Sequence, residues 1–331
     1  MSFFRPAPGA RPPYLAGRGS HVEVVASALA VGELPKRLPV LYSGRILTGR
    51  TAILTEVAER SRRAGWTTLQ VTLRRGDDLA ARLREAVEPA EGRSTVEIIE
   101  ARCEANPTHG VVLLIDDIDA ATGEAFTTFA ELTAVMAKGA RLVVAATCLP
   151  SWANRLLENA GGQPQATYVN VGTLETADIV SAVVVPARQH DVTFTRKAVE
   201  AIVARCHGVP ALVQMLAHHA AACAIDKTVT EAVVLSTVKA AERDVVETFF
   251  DPFYRTLTTA QQRFLRALRQ EGDGASFESV RRRIGDFSRL GPSPVAETRD
   301  ELLAAGLLYS NDGSRLHFSV AAFSAFVGTV D

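Results

Sequence analysis

Residues 38–51 read LPVLYSGRILTGRT and carry the strongest structural signal in the chain. The apolar run ending at Tyr42 predicts a buried strand. The segment after it follows the pattern G-x-x-x-x-G-K-[ST], except that Arg50 stands in place of the lysine. In such a loop, backbone N–H groups and the start of the next helix form a nest for anionic oxygens, and the hydroxyl of Thr51 is a Mg²⁺ ligand. We therefore predict a strand, a phosphate-binding loop and a helix.

A second motif lies about sixty residues downstream, where residues 111–117 read VVLLIDD. Five consecutive apolar residues are typical of a central parallel strand that is buried on both faces. Ligands bind at the carboxyl ends of such strands, which is where Asp116 and Asp117 lie. We expect Asp116 to hold Mg²⁺ and Asp117 to polarise an attacking water. The alternative is a strand that ends in two solvated acids, with Asp117 capping the next turn.

Composition restricts the classes of function. The 331 residues are 47% hydrophobic and 22% charged, with a net charge of −1. This composition is typical of a globular protein, and no global field favours DNA or a membrane surface. There is no apolar run of eighteen residues and no signal-peptide pattern, so we expect a cytoplasmic protein without membrane partners. Four cysteines that form no C-x-x-C pattern are expected to be buried, reduced thiols.

The order of the predicted elements indicates a fold class and four regions. A Pro-rich arm occupies residues 1–14. Strands and helices alternate over 15–173, which predicts an α/β parallel sheet with helices on both faces. Residues 174–250 show only helical patterns, without further strands. In 251–331, three short helices, the first opened by a capping-box pattern at Thr258, precede a hairpin at Asn311-Asp312-Gly313, the outline of a winged helix-turn-helix. The predicted sheet strands are 38–43, 67–72, 111–115, 141–147 and 166–171.

The chain resembles bacterial P-loop ATPases of the AAA+/STAND type, close to the archaeal origin-recognition-like ATPases. Besides the two motifs, residues 15–18 (LAGR) are similar to the L-x-G-R box that lies against the adenine in that family. Thr147, at the end of the predicted fourth strand, matches the sensor 1 position. Residues 206–210 (CHGVP) are similar to the G-x-P element of the helical lid, and residues 302–308 to the end of a winged helix.

The resemblance implies that ATP or ADP, with Mg²⁺, is bound between the sheet and the lid. It assigns catalytic roles to Asp117 and Thr147, and metal-binding roles to Thr51 and Asp116. The nucleotide-binding residues that it implies are Gly17, Arg18, Gly44, Arg45, Ile46, Leu47, Thr48, Gly49, Arg50, Thr51, Ala52 and Pro210. An alternative remains for two of these residues and for Thr147: Arg18 facing solvent, Pro210 as a helix-start proline, and Thr147 as an ordinary strand residue.

The sequence departs from the family pattern at positions that the family uses for ATP hydrolysis. Arginine at position 50 keeps the positive charge but replaces a compact ammonium by a wide planar fork. The resemblance implies that this change preserves nucleotide binding and slows hydrolysis. Asp117 is one methylene shorter than the glutamate usual in AAA+ proteins. No sensor 2 residue or arginine finger is recognisable, and Arg155 and Arg188 are candidates by position only.

The C-terminal region gives conflicting signals about its partner. Four arginines, at positions 281, 282, 283 and 289, form a basic cluster of the kind that contacts phosphates. The expected recognition helix is instead net acidic, with Glu297, Asp300 and Glu301 against Arg299. DNA binding is therefore weakly supported, and a protein partner or self-association is the alternative.

Three functions remain open from the sequence. The first is an ATPase whose hydrolysis is slow or impaired because of Arg50. The second is a degenerate nucleotide-binding switch that acts through its winged helix on DNA or a protein partner. The third is a scaffold that retains the fold and binds no nucleotide. The first two predict nucleotide binding, and Arg50 is the feature that favours the second.

Overall fold

The computed structural model describes residues 3–31, 38–87, 94–122, 124–159, 165–285, 293–310 and 313–330. The chain divides into two compact units. The sheet unit comprises residues 17–44 and 49–172. The C-terminal unit comprises residues 1–16, 45–48 and 173–331. Among the described residues, no helix combines the length and apolarity needed to traverse a bilayer.

A five-stranded parallel sheet forms the centre of the sheet unit, as the alternating pattern predicts. Its strands lie in the order β2-β3-β4-β1-β5. The strands β3 and β4 are buried at every residue, because helices cover both faces of a parallel sheet. The strand bounds are β1 Val40–Gly44, β2 Thr67–Thr72, β3 Val111–Asp116, β4 Leu142–Cys148 and β5 Thr167–Val171.

This strand order brings the sequence motifs to one edge of the sheet. From β1 the chain crosses to the far side at β2, and β3 and β4 then fill the space between them. All five strands are parallel, so the segments that follow β1, β3 and β4 lie at the same edge, where open α/β sheets bind ligands. The helices of this unit are α1 Gly19–Val31, α2 Arg50–Arg63, α3 Leu79–Val87, α4 Thr95–Ala105, α5 Ala125–Ala137 and α6 Pro150–Asn159.

The C-terminal unit is mainly helical, and several of its helix starts were predictable. The Thr195 side chain caps its helix, Pro210 occupies a first helical position, and Thr258 and Gln261 form the expected capping box. Its helices are α7 Thr176–Gln189, α8 Arg196–Cys206, α9 Pro210–Ala222, α10 Glu231–Val245, α11 Asp251–Tyr254, α12 Thr259–Glu271, α13 Phe277–Ile284, α14 Ser293–Ala304 and α15 Ala321–Val327. A π-helix, Val246–Phe250, continues α10.

Short strands complete this unit. The expected hairpin is present as β9 Leu308–Tyr309 paired with β10 Arg315–Phe318, and β8 Ala275–Ser276 joins it to make three strands. The turn residues Asn311 and Asp312 lie outside the described residues. Residues 3–14 form neither helix nor strand, and Phe4 in this predicted arm is buried in the core of the unit.

Two sequence-based expectations were wrong. Strands do not stop at residue 174, because β6 Thr193–Phe194 pairs in parallel with β7 Thr228–Val229. Such two-residue strands are too short for alternation to reveal them. The expectation of four buried thiols fails at Cys223, which follows the last residue of α9 and is exposed, whereas the other three cysteines are buried.

Candidate functional site

The loop after β1 has the backbone of an anion nest. Gly49 immediately precedes α2 and adopts a left-handed conformation with φ of 85°. Leu47 is also left-handed, with φ of 61°, which is uncommon for a bulky residue. Left-handed residues of this kind turn successive N–H groups to one side, and the first N–H groups of α2 have no partner within their own helix. The strain at Leu47 is of the kind that proteins retain at functional sites.

Arg50, the first residue of α2, engages the acidic end of β3. Its Nη2 donates a hydrogen bond to Asp117 Oδ1 at 3.0 Å, and its Nη1 lies 3.9 Å from Asp119 Oδ1. The arginine side chain is only 10% exposed. Its Nη1 atom is buried and has no hydrogen-bond partner. A buried guanidinium N–H without an acceptor is costly, so this atom is a ready donor for an anionic oxygen.

The surroundings of Asp117 and Asp119 disfavour the charged form of their carboxyl groups. Burial raises the pKa of Asp117 to about 6, although Arg50 acts in the opposite direction and the carboxylates of Asp116 and Asp119 add to the rise. Burial also raises the pKa of Asp119. Asp117 adopts a left-handed backbone with φ of 53°. Two carboxylates, those of Asp117 and Asp119, therefore share one guanidinium, and additional positive charge would stabilise the acidic cluster.

Thr147 connects the two strands that carry this chemistry. Its hydroxyl donates a 2.6 Å hydrogen bond to Asp116 Oδ1 and accepts one of 2.8 Å from the Asp117 N–H. Both Thr147 and Asp116 are buried, with exposures of 0% and 2%. The threonine at the end of β4 thus fixes the side chain of one aspartate and the backbone of the next.

Asp119 is a member of the cluster that sequence reasoning missed. It lies in the 3₁₀ turn Ile118–Ala120, and its Oδ1 accepts a 2.9 Å hydrogen bond from the Leu149 N–H beyond β4. Its side chain is 13% exposed. The signal was the third acid in the run DDID at residues 116–119, which the turn after β3 brings back toward the strand ends.

Four of the predicted loop residues, Arg45–Thr48, belong by their contacts to the C-terminal unit. There the guanidinium carbon of Arg45 lies 3.4 Å above the ring of Tyr309, a cation–π contact. Ile46 and Leu47 pack against the hydrophobic core of that unit. Thr48 is buried, and its hydroxyl donates to the Arg45 carbonyl at 2.8 Å. The contacts of these four residues therefore lie within the C-terminal unit.

Of the remaining predicted residues, Arg18 is the most informative. It is 5% exposed and donates a hydrogen bond to the Gly172 carbonyl, so the solvent-facing alternative is wrong. Gly17, just before it, has φ of 65°. Pro210 starts α9 in the C-terminal unit. Three further predicted residues flank the loop: Gly44 is the last residue of β1, and Thr51 and Ala52 lie in the first turn of α2.

Comparison with known proteins gives similar full-length folds at low sequence identity. The Orc1 protein of Aeropyrum pernix, solved in complex with DNA, is 17% identical with a TM-score of 0.57; the match covers 97% of this chain and 94% of that one. The Walker-type ATPase paby2304 of Pyrococcus abyssi is 11% identical with a TM-score of 0.64, over 95% and 96% of the two chains. A RuvB mutant of Thermotoga maritima is 15% identical with a TM-score of 0.51, over 96% of each chain.

The chain therefore shares its fold with these proteins over nearly its whole length. Sequence comparisons add less. Residues 247–327 match a family model described as a domain of unknown function, DUF8462. No curated protein sequence matches the chain. Within the sheet unit, the Arg50–Asp117 hydrogen bond brings the start of α2 to the acidic end of β3.

The donor set at this edge of the sheet fits Mg²⁺ and a phosphate chain. Mg²⁺ takes oxygen ligands, few of them from the protein, and completes its shell with water and phosphate. Within the described ranges, no group of three His, Cys, Asp or Glu side chains forms a protein-only metal site. One carboxylate, from Asp116, and the Thr51 hydroxyl suit a Mg²⁺ site that has few protein ligands and is completed by water and phosphate. The buried, unbonded Nη1 of Arg50 suits a phosphate oxygen.

Proposed function

We propose that this protein binds ATP or ADP with Mg²⁺ at the carboxyl edge of its parallel sheet, and that it hydrolyses ATP slowly. The main support is the hydrogen bond between Arg50 and Asp117, which joins the phosphate-binding loop to the acidic strand end. In this proposal the backbone of residues 45–50 receives the phosphates, Thr51 and Asp116 hold Mg²⁺, and Asp117 orients water. When bound, Mg²⁺ would neutralise phosphate charge and orient the phosphate chain.

The pairing of Arg50 supports slow rather than fast turnover. A phosphate must compete with Asp117 and Asp119 for the guanidinium, whose fork geometry also matches a carboxylate well. While paired, Asp117 has less freedom to accept a proton from water. The same contact that supports nucleotide binding therefore restrains the two residues that hydrolysis needs.

Nucleotide content and turnover test this proposal directly. The purified chain is heat-denatured, and the supernatant is analysed for ADP and ATP; phosphate release from Mg-ATP is measured in parallel. We expect nucleotide to be released, or millimolar ADP to raise the melting temperature, because a ligand that binds the native state stabilises it. Absence of both would favour the scaffold function instead.

A matched pair of glycine variants tests whether the loop is the site. Gly49→Ala disturbs a left-handed residue in the nest, and we expect nucleotide affinity to fall by at least about tenfold. Gly9→Ala is the control, since Gly9 is also left-handed, with φ of 71° and no neighbour near an added Cβ. Equal affinity in the two variants would argue against binding at this loop.

The second candidate is a switch that acts through the C-terminal region, which we propose contains a winged helix. Its arginines favour a protein partner over DNA. Arg281 pairs with Glu278, and Arg283 with Glu271, so their charges are compensated within the unit. Arg299 contacts Asp300 and lies over the Phe277 ring at 4.6 Å. Arg289, the fourth arginine of the predicted basic cluster, lies outside the described residues.

DNA affinity of the full chain, measured at several salt concentrations, distinguishes the two partners. Phosphate binding by a basic surface weakens steeply as salt rises. We expect weak DNA binding that Arg281→Ala changes little, because Glu278 already compensates the charge of Arg281. Tight binding that falls steeply with salt would make DNA the partner.

A further inference from the structure

A cavity of about 520 Å³ lies within the C-terminal unit. Its wall is apolar and comes from α9, from the end of α10 with the π-helix that continues it, and from α15. Leu212, Leu216, Val245, Phe250 and Phe326 form this wall, and all five are buried. A concave apolar site of this size is in the range that holds a small organic molecule. All lining residues lie between positions 205 and 329, so the cavity is separate in sequence from the phosphate-binding loop.

Backbone irregularities occur at two places on the lining. The π-helix Val246–Phe250 contributes both its first and last residues to the cavity. π-Helical turns are rare and are frequent at functional sites, because they widen the helix and displace side chains. His207, at the mouth, has a left-handed backbone with φ of 47°. His207 is the C-cap residue of α8, and its left-handed backbone ends that helix at the cavity.

The mouth of the cavity carries excess positive charge. Arg205, His207, Lys239 and Arg243 line it, against one acid, Glu242. Arg243 lies within 3.9 Å of Asp244 and Glu247 carboxylate oxygens, which compensate its charge.

Arg205 and Lys239 have exposed side chains without a carboxylate partner among the described residues. Arg205 donates to the Ala201 carbonyl of its own helix, and no ion pair involves Lys239. An apolar wall with two uncompensated cations at its mouth complements a molecule with an apolar body and an anionic head.

We propose that this cavity binds an amphipathic carboxylate, namely a medium-chain fatty acid or a similar acyl chain. The aliphatic chain packs against Phe250 and Phe326, and the carboxylate meets Lys239 and Arg205. This site does not depend on nucleotide binding. The two cations favour an anionic amphiphile over neutral and cationic amphiphiles of the same chain length, since only the anion is attracted to them.

Calorimetric titration of the full chain with dodecanoate, below its micelle concentration, tests the proposal. We expect one dodecanoate per chain, bound at least about tenfold more tightly than dodecyltrimethylammonium. Lys239→Ala should weaken dodecanoate binding about tenfold, because one charged hydrogen-bond partner is lost. Lys197→Ala is the matched control, since Lys197 is an exposed lysine on α8 that does not line the cavity.

A filled cavity gives an independent test that does not rely on charge. Ala325 lies at the cavity and is exposed, so Ala325→Trp adds volume there with little risk to the core. We expect it to abolish dodecanoate binding while the melting temperature stays near that of the wild type. Ala222→Trp, on an exposed position of α9 outside the lining, should bind normally. Absence of dodecanoate binding, equal binding of the cationic amphiphile, or normal binding by a folded Ala325→Trp variant would each overturn the proposal.

Discussion

Arg50 Nη2 and Asp117 Oδ1 lie 3.0 Å apart, so the first residue of α2 is bonded to the residue that follows β3. Lysine in this position would offer one ammonium group. Arginine offers two terminal nitrogens, and here one contacts Asp117 while the other points toward Asp119 at 3.9 Å. The arginine therefore holds the acidic cluster in a way that a single ammonium group would not reproduce. Four predictions follow from this contact and from the hydrogen bonds around it.

Arg50→Lys should raise the rate of ATP hydrolysis by about tenfold. A compact ammonium lacks the planar fork that holds Asp117 and points toward Asp119, so Asp117 is held less firmly and is freer to orient water, and the charge can follow the β and γ oxygens. The measurement is phosphate release at saturating Mg-ATP. Arg63→Lys, at the exposed end of the same helix, is the control and should leave the rate unchanged. An unchanged or lower rate in Arg50→Lys would show that the arginine is adapted to its task.

Asp117→Asn should abolish turnover and preserve nucleotide binding. The amide cannot accept a proton from water, which reduces hydrolysis by at least about 100-fold. It also competes less well for Arg50, so ADP affinity should rise by about tenfold. Fluorescence titration with a labelled ADP and a phosphate-release assay measure the two effects. A parallel loss of both binding and turnover would place Asp117 in a structural role.

The raised pKa of Asp117 predicts a pH effect on stability. The folded state holds a proton up to a pH of about 6, whereas the unfolded chain releases it near pH 4, so the folded state binds more protons between these values. Stability from this group is therefore highest below about pH 4 and declines as the pH rises to about 6. The Asp117 side chain is 40% exposed and water screens its charge, so we expect a loss of about 1 kcal/mol.

Asp117→Asn removes this pH dependence and so measures it. Relative to the wild type, the variant should gain about 1 kcal/mol in unfolding free energy between about pH 4.5 and about pH 7.5. Asp226→Asn is a matched control, because Asp226 is exposed and shares the left-handed backbone, with φ of 46°. A parallel pH profile for wild type and Asp117→Asn would contradict the assignment of the titration to Asp117.

Thr147→Val should destabilise the protein by about 1–3 kcal/mol despite its similar shape. The change removes a donor to Asp116 Oδ1 and an acceptor for the Asp117 N–H, both in a buried setting. Urea unfolding measures the loss. Thr133→Val, whose hydroxyl bonds the Phe129 carbonyl within its own helix, should cost less. Equal costs in the two variants would mean that the Thr147 bridge has no special energetic weight.

The regular elements of the sheet unit were predictable from local patterns. Residues 111–115 are continuously apolar, and such a run has few alternatives to a central strand. The bounds of β2 were predicted to the residue, whereas β1 starts two residues later than predicted. Helix starts at Pro210 and Thr258 followed from capping chemistry, which needs only a few neighbouring residues.

Elements without a local signature were not predictable. The pair β6 and β7 joins residues 193–194 and 228–229, so its hydrogen bonds depend on a tertiary approach over more than thirty positions. The helix α15 was missed as well, although it supplies two buried aromatic side chains, Phe323 and Phe326. Short strands and short helices gain their stability from packing, which periodicity in the sequence does not encode.

The sequence by itself determined the turn between β1 and α2, the strand β3 that ends in aspartates and the parallel sheet, because glycine spacing and apolar runs act over a few residues. Tertiary structure decided the state of the site. It joined Arg50 to Asp117, brought Asp119 into the cluster, and set Thr147 between two aspartates. These contacts join residues 30 to 69 positions apart, so they depend on the order of strands in the folded sheet, and the resulting burial is what raises the pKa of Asp117.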